Sequence, residues 1–178
     1  MAAAHYQFEA IHPFHDGNGR TGRVINILML IEAGLIDEPI LYLSRYIIRE
    51  KNDYYRLLRS VTEDGAWVDW VQYMLDAVRE SAASTVRKIG AIRECQDRIG
   101  EQARDATAGG RDAQFLLVLF EQPYCRISTV VDRCGVSRQT AATWLHALAD
   151  AGIVIEVKAG RERLFVNHEF MDVLRRPE

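Results

Sequence analysis

Residues 11–23 read IHPFHDGNGRTGR, and this stretch decides how the rest of the chain is interpreted. Gly17 and Gly19 allow the backbone N–H groups of the loop to face a ligand without an intervening Cβ. Residues 24–33 follow as VINILMLIEA, which predicts a helix that is apolar on all sides and therefore deeply buried. The first turn of a helix has unpaired, partially positive amides that bind anions such as phosphate. The stretch therefore predicts a phosphate-binding loop at the start of a buried helix.

The polar residues of this loop each suggest a chemical role. Arg20 and Arg23 are three residues apart, so they share one helical face, and a guanidinium matches phosphate oxygens well. Asp16 would repel phosphate unless a divalent cation lay between them, which makes it a candidate Mg²⁺ ligand. Histidine is the residue type best suited to proton transfer near neutral pH, so His12 is the candidate general base. The amide of Asn18 can donate to a phosphate oxygen.

The segment HPFHDGNGRTGR resembles the Fic family motif, His-x-Phe-x-Asp/Glu-Gly-Asn-Gly-Arg-x-x-Arg, with every fixed position filled. The resemblance implies an all-α catalytic fold that transfers AMP from ATP to a hydroxyl side chain of a target protein. It implies His12 as the base, Asp16 as the Mg²⁺ ligand and Arg23 at the γ-phosphate. The residues that it places around the phosphates are Gly17, Asn18, Gly19 and Arg20. The alternative is a glycine-rich helix cap with solvated arginines.

The segment after the motif predicts two further helices. Ser44 is expected to cap a helix over residues 45–61, and the resemblance places Tyr55 near the adenine, with Thr62 as a polar neighbour. Tyr55 has an equally simple interpretation as a core aromatic residue. After a turn at Gly65, apolar residues at helical spacing predict a buried helix face formed by Trp67, Trp70, Val71, Met74, Leu75 and Val78.

The remainder predicts a linker and a second small domain. Residues 81–110 are expected to form a linker helix that ends at a Gly-Gly pair. Beyond it, a helix, a turn at Gly135 and a helix capped by Ser137 precede a two-stranded hairpin, and this order resembles a winged helix-turn-helix. The expected fold class is therefore mainly α, with a partial Fic-type core over residues 1–80 and a winged helix-turn-helix domain over residues 111–178.

A winged helix often binds DNA, and two groups of residues would then contact it. The start of the second helix and the hairpin supply Arg138, Gln139, Thr140, Thr143, Lys158 and Arg161, with Arg163 beside them. Nearby acidic residues dilute this charge, and the strongly basic stripe typical of DNA-binding domains is missing. Protein contact or dimerisation is therefore favoured over DNA binding.

The composition is that of a globular protein. The 178 residues are 48% hydrophobic and 26% charged, with a net charge of −3, which excludes a disordered or generally nucleic-acid-coating chain. Three cysteines without metal spacing favour a reducing compartment, so a cytoplasmic protein is expected, with no membrane segment. A bacterial source is a separate expectation. His5, His12 and His15 do not have the spacing of a zinc site.

Fic domains usually have further helices and a β-hairpin flap before the motif, whereas eleven residues precede His12 here. We therefore expect an incomplete adenylyltransferase with Mg²⁺ and ATP as cofactor and co-substrate, weak in AMP transfer. An apolar helix at 24–33 without neighbours on every side would favour a homo-oligomer. The alternative is a non-enzymatic DNA-binding or protein-interaction module in which the nucleotide site is a relic.

Overall fold

The computed structural model of the chain describes residues 1–160 and 162–176. Their contacts divide the chain into two compact units, Met1–Val86 and Arg87–Glu178. Helices predominate in both units, so the predicted mainly α class is confirmed. None of the helices in the described ranges is long and apolar enough to cross a membrane.

The first unit is helical. Its elements are α1 Ala2–Ile11, α2 Asn18–Glu32, α3 Leu43–Arg49, α4 Lys51–Asp64 and the part of α5 Trp67–Ala106 that precedes residue 87. Helix α2 ends as predicted, because Gly34 follows it with φ 66° and donates its N–H to Ile31. The apolar centre of this unit lies between α3, α4 and α5, where the most deeply buried side chains are Ile47, Tyr54, Val61, Trp70 and Met74.

The expectation that α2 is deeply buried is wrong for this chain. Its buried positions recur every four residues and are Asn18, Gly22, Asn26 and Leu30. On another face, Val24 and Leu28 are 58% and 57% exposed. The apolar sequence alone does not reveal this, because the face in contact with α1 includes the helix's glycine and asparagine residues.

The helix predicted over residues 45–61 is two helices. Its backbone breaks at Glu50, with φ −100° and ψ 36°, and Arg49 forms ion pairs with Glu50 and Glu80 beside the break. Ser44 lies inside α3, where its hydroxyl accepts a hydrogen bond from Arg23 instead of capping the helix.

The predicted buried face of the next helix is correct only in part. Trp70 and Met74 are fully buried, but Trp67, Val71 and Leu75 are 41%, 37% and 56% exposed. The helix after Gly65 and the predicted linker helix form one continuous element, α5. The division of the chain at residues 80 and 110 remains a prediction.

The second unit combines helices with a small sheet. After α5 and a short 3₁₀ turn come α6 Ala113–Glu121, β1 Tyr124–Cys125, α7 Ile127–Cys134, α8 Arg138–Asp150, β2 Ile155–Ala159, β3 Glu162–Val166 and α9 His168–Arg175. The sheet is antiparallel in the order β1-β3-β2, with Glu156 opposite Phe165. Strand β1 and helix α9 were not predicted. Side chains from α6, α8 and β3 form the core, among them Phe115, Leu119, Leu145 and Phe165.

Candidate functional site

The candidate base lies where α1 ends. His12 adopts a left-handed conformation, φ 50° and ψ 55°, and its N–H donates to the carbonyl of Phe8 at 3.0 Å. This conformation is uncommon for a residue with a Cβ. It turns the chain out of the helix and into the loop, and the side chain of His12 is exposed. The imidazole is therefore accessible to a substrate.

The side chain of Asn18 closes the loop. Its Oδ1 accepts from the N–H of Phe14 at 2.9 Å, and its Nδ2 donates to the carbonyl of Phe14 at 2.5 Å. Asn18 is only 2% exposed, so its amide holds the backbone of the loop and is not directed at solvent. The predicted contact of Asn18 with phosphate therefore depends on its backbone N–H, at the start of α2.

The loop leaves the start of α2 accessible to an anion. Gly17 precedes the helix with φ 87°, and no side chain of the described residues caps it. The first turn contains no acidic residue, so its amides and partial positive charge have no anionic partner within the helix. Gly17 and Gly19 also bring the backbone close to the surface.

Asp16 lies at the edge of the loop. One carboxylate oxygen accepts from the N–H of Gly17 at 2.7 Å, and the other pairs with Arg20 Nη2 at 3.1 Å. Both side chains are highly exposed, with 88% of Asp16 and 74% of Arg20 accessible. No cluster of three or more candidate metal ligands occurs in the ranges 1–160 and 162–176. A single carboxylate fits Mg²⁺, which typically takes its remaining ligands from water and substrate phosphates.

The two arginines of the motif line one small groove. Its volume is about 280 Å³, and it lies between α2 and the segment before α3. Arg23 is held there by a hydrogen bond from its Nε to Ser44 at 2.9 Å. The i, i+3 spacing of Arg20 and Arg23 thus places two guanidiniums on the same side of the helix. The other lining residues are Val24, Ile27, Leu41, Tyr42, Leu43 and Ser44.

Tyr55 and Thr62 line a second, larger groove of about 880 Å³ between α1 and α4. The side chain of Tyr55 is exposed, which does not fit its alternative interpretation as a core aromatic. Tyr6 of α1 also lines this groove, and its hydroxyl lies 3.0 Å from that of Thr62. The volume is within the range of small-molecule sites.

Tyr6 was not predicted to line a groove, and His5 was weighed only as a possible metal ligand. Both contact α4: Tyr6 meets Thr62, 56 residues away, and His5 meets Tyr54, 49 residues away. No local spacing reveals pairs at such a separation, so only the tertiary structure identifies them.

In the second unit, the candidate DNA-binding residues lie on α8 and the hairpin. Arg138 and Gln139 are exposed at the start of α8. The hydroxyl of Thr140 lies 2.9 Å from that of the capping Ser137, and the hydroxyl of Thr143 donates to the Gln139 carbonyl. Lys158 is exposed on β2, whereas Arg161 lies outside the described residues.

Acidic residues neutralise much of the positive charge around these elements. Arg126 pairs with Glu162 at 2.6 Å and Arg163 with Glu156 at 2.5 Å. Arg133 pairs with Glu121 in the same way. The surface thus carries charges of both signs, as the sequence indicated.

Two protein-family patterns match this chain, one in each of its two units. The pattern of the Fic/DOC family matches residues 1–30, which contain the whole motif. Residues 112–170 match the C-terminal domain of SoFic-like protein adenylyltransferases.

Individual proteins that are similar to this chain are also described as protein adenylyltransferases. The protein adenylyltransferase fic-1 of Caenorhabditis elegans is 35% identical over 98 residues, which are 55% of this chain and 17% of that protein. The protein adenylyltransferase Fic of Drosophila yakuba is 34% identical over 80 residues, 45% of this chain and 15% of the relative. A probable protein adenylyltransferase of Aquifex aeolicus is 46% identical over 43 residues, 24% of this chain and 13% of the relative. The matched part is thus less than a fifth of each relative. The chain is therefore similar to the Fic/DOC family over residues 1–30, which contain the motif, and to the C-terminal domain of SoFic-like protein adenylyltransferases over residues 112–170.

Proposed function

We propose that the first unit carries the nucleotide site of a protein adenylyltransferase, which transfers AMP from ATP to a Ser, Thr or Tyr hydroxyl of a target protein. The main support for this proposal is that the segment matched to the Fic/DOC family folds into a loop with an exposed histidine, followed by a helix whose start has no side-chain cap. The two grooves beside it give room for the phosphates and for the base of a nucleotide.

In this proposal His12 acts as the general base. It takes the proton of the target hydroxyl as the hydroxyl oxygen bonds to the α-phosphorus of ATP. The bond between the α-phosphorus and the bridging oxygen breaks, and pyrophosphate leaves. The exposure of His12 at the end of α1 suits this role, because the target hydroxyl must reach the imidazole from outside.

The loop and the start of α2 would stabilise charge on the phosphates. The backbone N–H groups of Gly17, Asn18 and Gly19 and the guanidinium of Arg20 would donate to phosphate oxygens. Arg23 would bind the γ-phosphate end, and its contact with Ser44 orients it before the nucleotide arrives.

The groove between α1 and α4 would hold the adenine. Tyr55 offers an aromatic face, and Thr62 a hydroxyl. Asp16 would hold Mg²⁺ together with the phosphates. The ion supplies positive charge that offsets the charge developing on the phosphate oxygens.

ATP binding measured by calorimetry with Mg²⁺, together with transfer of α-labelled ATP to target proteins, tests this proposal. We expect Arg20→Ala to abolish measurable binding, while His12→Ala retains binding and loses only transfer. Arg93→Ala, which removes an exposed arginine of α5, serves as the control and should change neither. Equal loss in the two test variants, or undisturbed binding in Arg20→Ala, would contradict the assigned roles. Absence of ATP binding in the unaltered chain would favour the relic site.

For the second unit we infer a winged helix-turn-helix that serves protein contact in preference to DNA. The order of α7, α8 and the β2–β3 hairpin matches that architecture, and the ion pairs at Glu156 and Glu162 leave little excess positive charge. Titration of the full chain with duplex DNA at low salt distinguishes the two. We expect no binding. Salt-sensitive binding that weakens in Lys158→Ala would instead establish the DNA function.

A further inference from the structure

A chain of buried hydrogen bonds links three helices of the first unit. His5 of α1 is 1% exposed. Its Nδ1 lies 3.1 Å from Asn26 Nδ2 of α2, and its Nε2 lies 2.9 Å from the hydroxyl of Tyr54 of α4. Asn26 and Tyr54 are 0% and 4% exposed. The imidazole also stacks on Trp70, with centroids 6.0 Å apart and ring planes at 11°. The ring of His5 is thus fixed by partners on several elements.

The protonation state of His5 matches its two partners. Burial lowers the pKa of His5 to about 4, so the ring is neutral near pH 7. A neutral imidazole has one donor and one acceptor nitrogen. The Asn26 amide donates to Nδ1, and the proton on Nε2 is then available to the Tyr54 oxygen. The tautomer of His5 that carries its proton on Nε2 therefore forms both hydrogen bonds.

Helix α2 approaches His5 closely because residue 22 is a glycine. A Cβ at Gly22 would lie 3.0 Å from Cε1 and 3.1 Å from Nδ1 of His5, and 2.7 Å from Oε1 of Glu9. Gly22 is itself buried. The contact between α1 and α2 thus depends on the missing side chain.

Stability alone is a weak explanation for this arrangement. Oδ1 of Asn26 and Oε1 of Glu9 are buried without a hydrogen-bond partner among the described residues, and such groups are costly. A buried polar network instead specifies one arrangement of the elements that it joins.

The joined elements are those that carry the candidate site. His12 directly follows α1, and Arg23 lies three residues before Asn26 on α2. Tyr55 follows Tyr54 on α4. A shift of any one helix would therefore move the base, the phosphate-binding arginines or the adenine groove relative to the others.

We propose that His5 is a positioning residue of the candidate site, which holds the helix that ends at His12 in one register against α2 and α4. It acts through Asn26 and Tyr54 and has no contact with the nucleotide. The assignment to a site rests on the proposed function, whereas the link between the three helices rests on the structure alone.

The test uses Tyr54→Phe in the full chain, because this change removes the hydroxyl partner of His5 and keeps the aromatic ring. His5→Gln removes the ring itself and is the second variant. Tyr124→Phe, the same change in the second unit, is the matched control. Two-dimensional NMR gives the backbone amide shifts of His12 and of residues 14–20, and transfer assays give kcat and the KM for ATP.

We expect Tyr54→Phe to shift the amide resonances of His12 and of residues 14–20, although the altered hydroxyl is distant from them in sequence. We also expect kcat to fall about tenfold or more, with the KM for ATP within about twofold, because misplacement of a catalytic group mainly slows the chemical step. Tyr124→Phe should leave both unchanged. A lower melting temperature with unchanged loop resonances would overturn the positioning role. If the unaltered chain transfers no AMP, the proposed activity fails, and the loop resonances still decide the role of His5.

Discussion

Replacement of Gly22 by alanine tests how closely α1 and α2 must pack. The added Cβ would lie 2.7 Å from Oε1 of Glu9 and 3.0 Å from Cε1 of His5. Contacts below about 3.0 Å force one partner to move. Glu9 is a flexible side chain and can yield. His5 can yield only by moving against its hydrogen bonds to Asn26 and Tyr54, which such a shift would weaken.

Two opposing effects set the size of the change. Alanine is favoured over glycine in a helix interior by about 1 kcal/mol. Overpacking of a filled site costs about 1–3 kcal/mol, and each buried hydrogen bond that breaks adds roughly 1 kcal/mol. Loss of one of the two hydrogen bonds of His5 would cancel the gain in helix propensity, so we expect Gly22→Ala to lower the free energy of unfolding of the first unit by about 1–3 kcal/mol.

Urea unfolding followed by NMR measures this change. The indole N–H resonances of Trp70 and Trp144 report the first and second units separately. Gly90→Ala is the control, because Gly90 lies within α5 and a Cβ there would meet nothing within 4 Å. We expect Gly90→Ala to be neutral or to stabilise by up to about 1 kcal/mol. A Gly22→Ala variant as stable as the unaltered chain would refute the tight packing around His5.

Two further predictions concern pH and association. The pKa of His5 falls from 6.5 to about 4 on folding. As the pH is lowered, the imidazole is therefore protonated in the unfolded chain before it is protonated in the folded one. The free energy of unfolding should then drop by about 3 kcal/mol between pH 6.5 and pH 4. His5→Gln should lose this dependence in urea unfolding, and an unchanged pH profile would contradict it. Val24 and Leu28 are 58% and 57% exposed on α2, so we expect self-association in light scattering that glutamate at both positions reduces. A monomeric unaltered chain would exclude this surface as a contact.

The ends of several helices could be predicted from the sequence, because a single residue type there determines the backbone conformation. Gly34, Gly65 and Gly135 adopt the left-handed conformation at the ends of helices, and the hydroxyl of Ser137 accepts from the Thr140 N–H at the start of α8. These features depend on neighbours within a few residues, so the sequence contains all the information needed. The break at Glu50 was missed, because the ion pair of the neighbouring Arg49 with Glu80 joins residues that are distant in sequence.

For the candidate site, the residues that form the loop and the order in which they occur could be predicted from the sequence. Their chemistry follows from side-chain type and from spacing within a single turn of helix, as for Arg20 and Arg23. Folding of the whole unit was needed to reveal that Asn18 holds the loop closed and that Tyr6 joins Thr62 in one groove. It was also needed to reveal that His5 links three helices. The physical reason is that packing brings together side chains about 50 residues apart, and no local periodicity records such contacts.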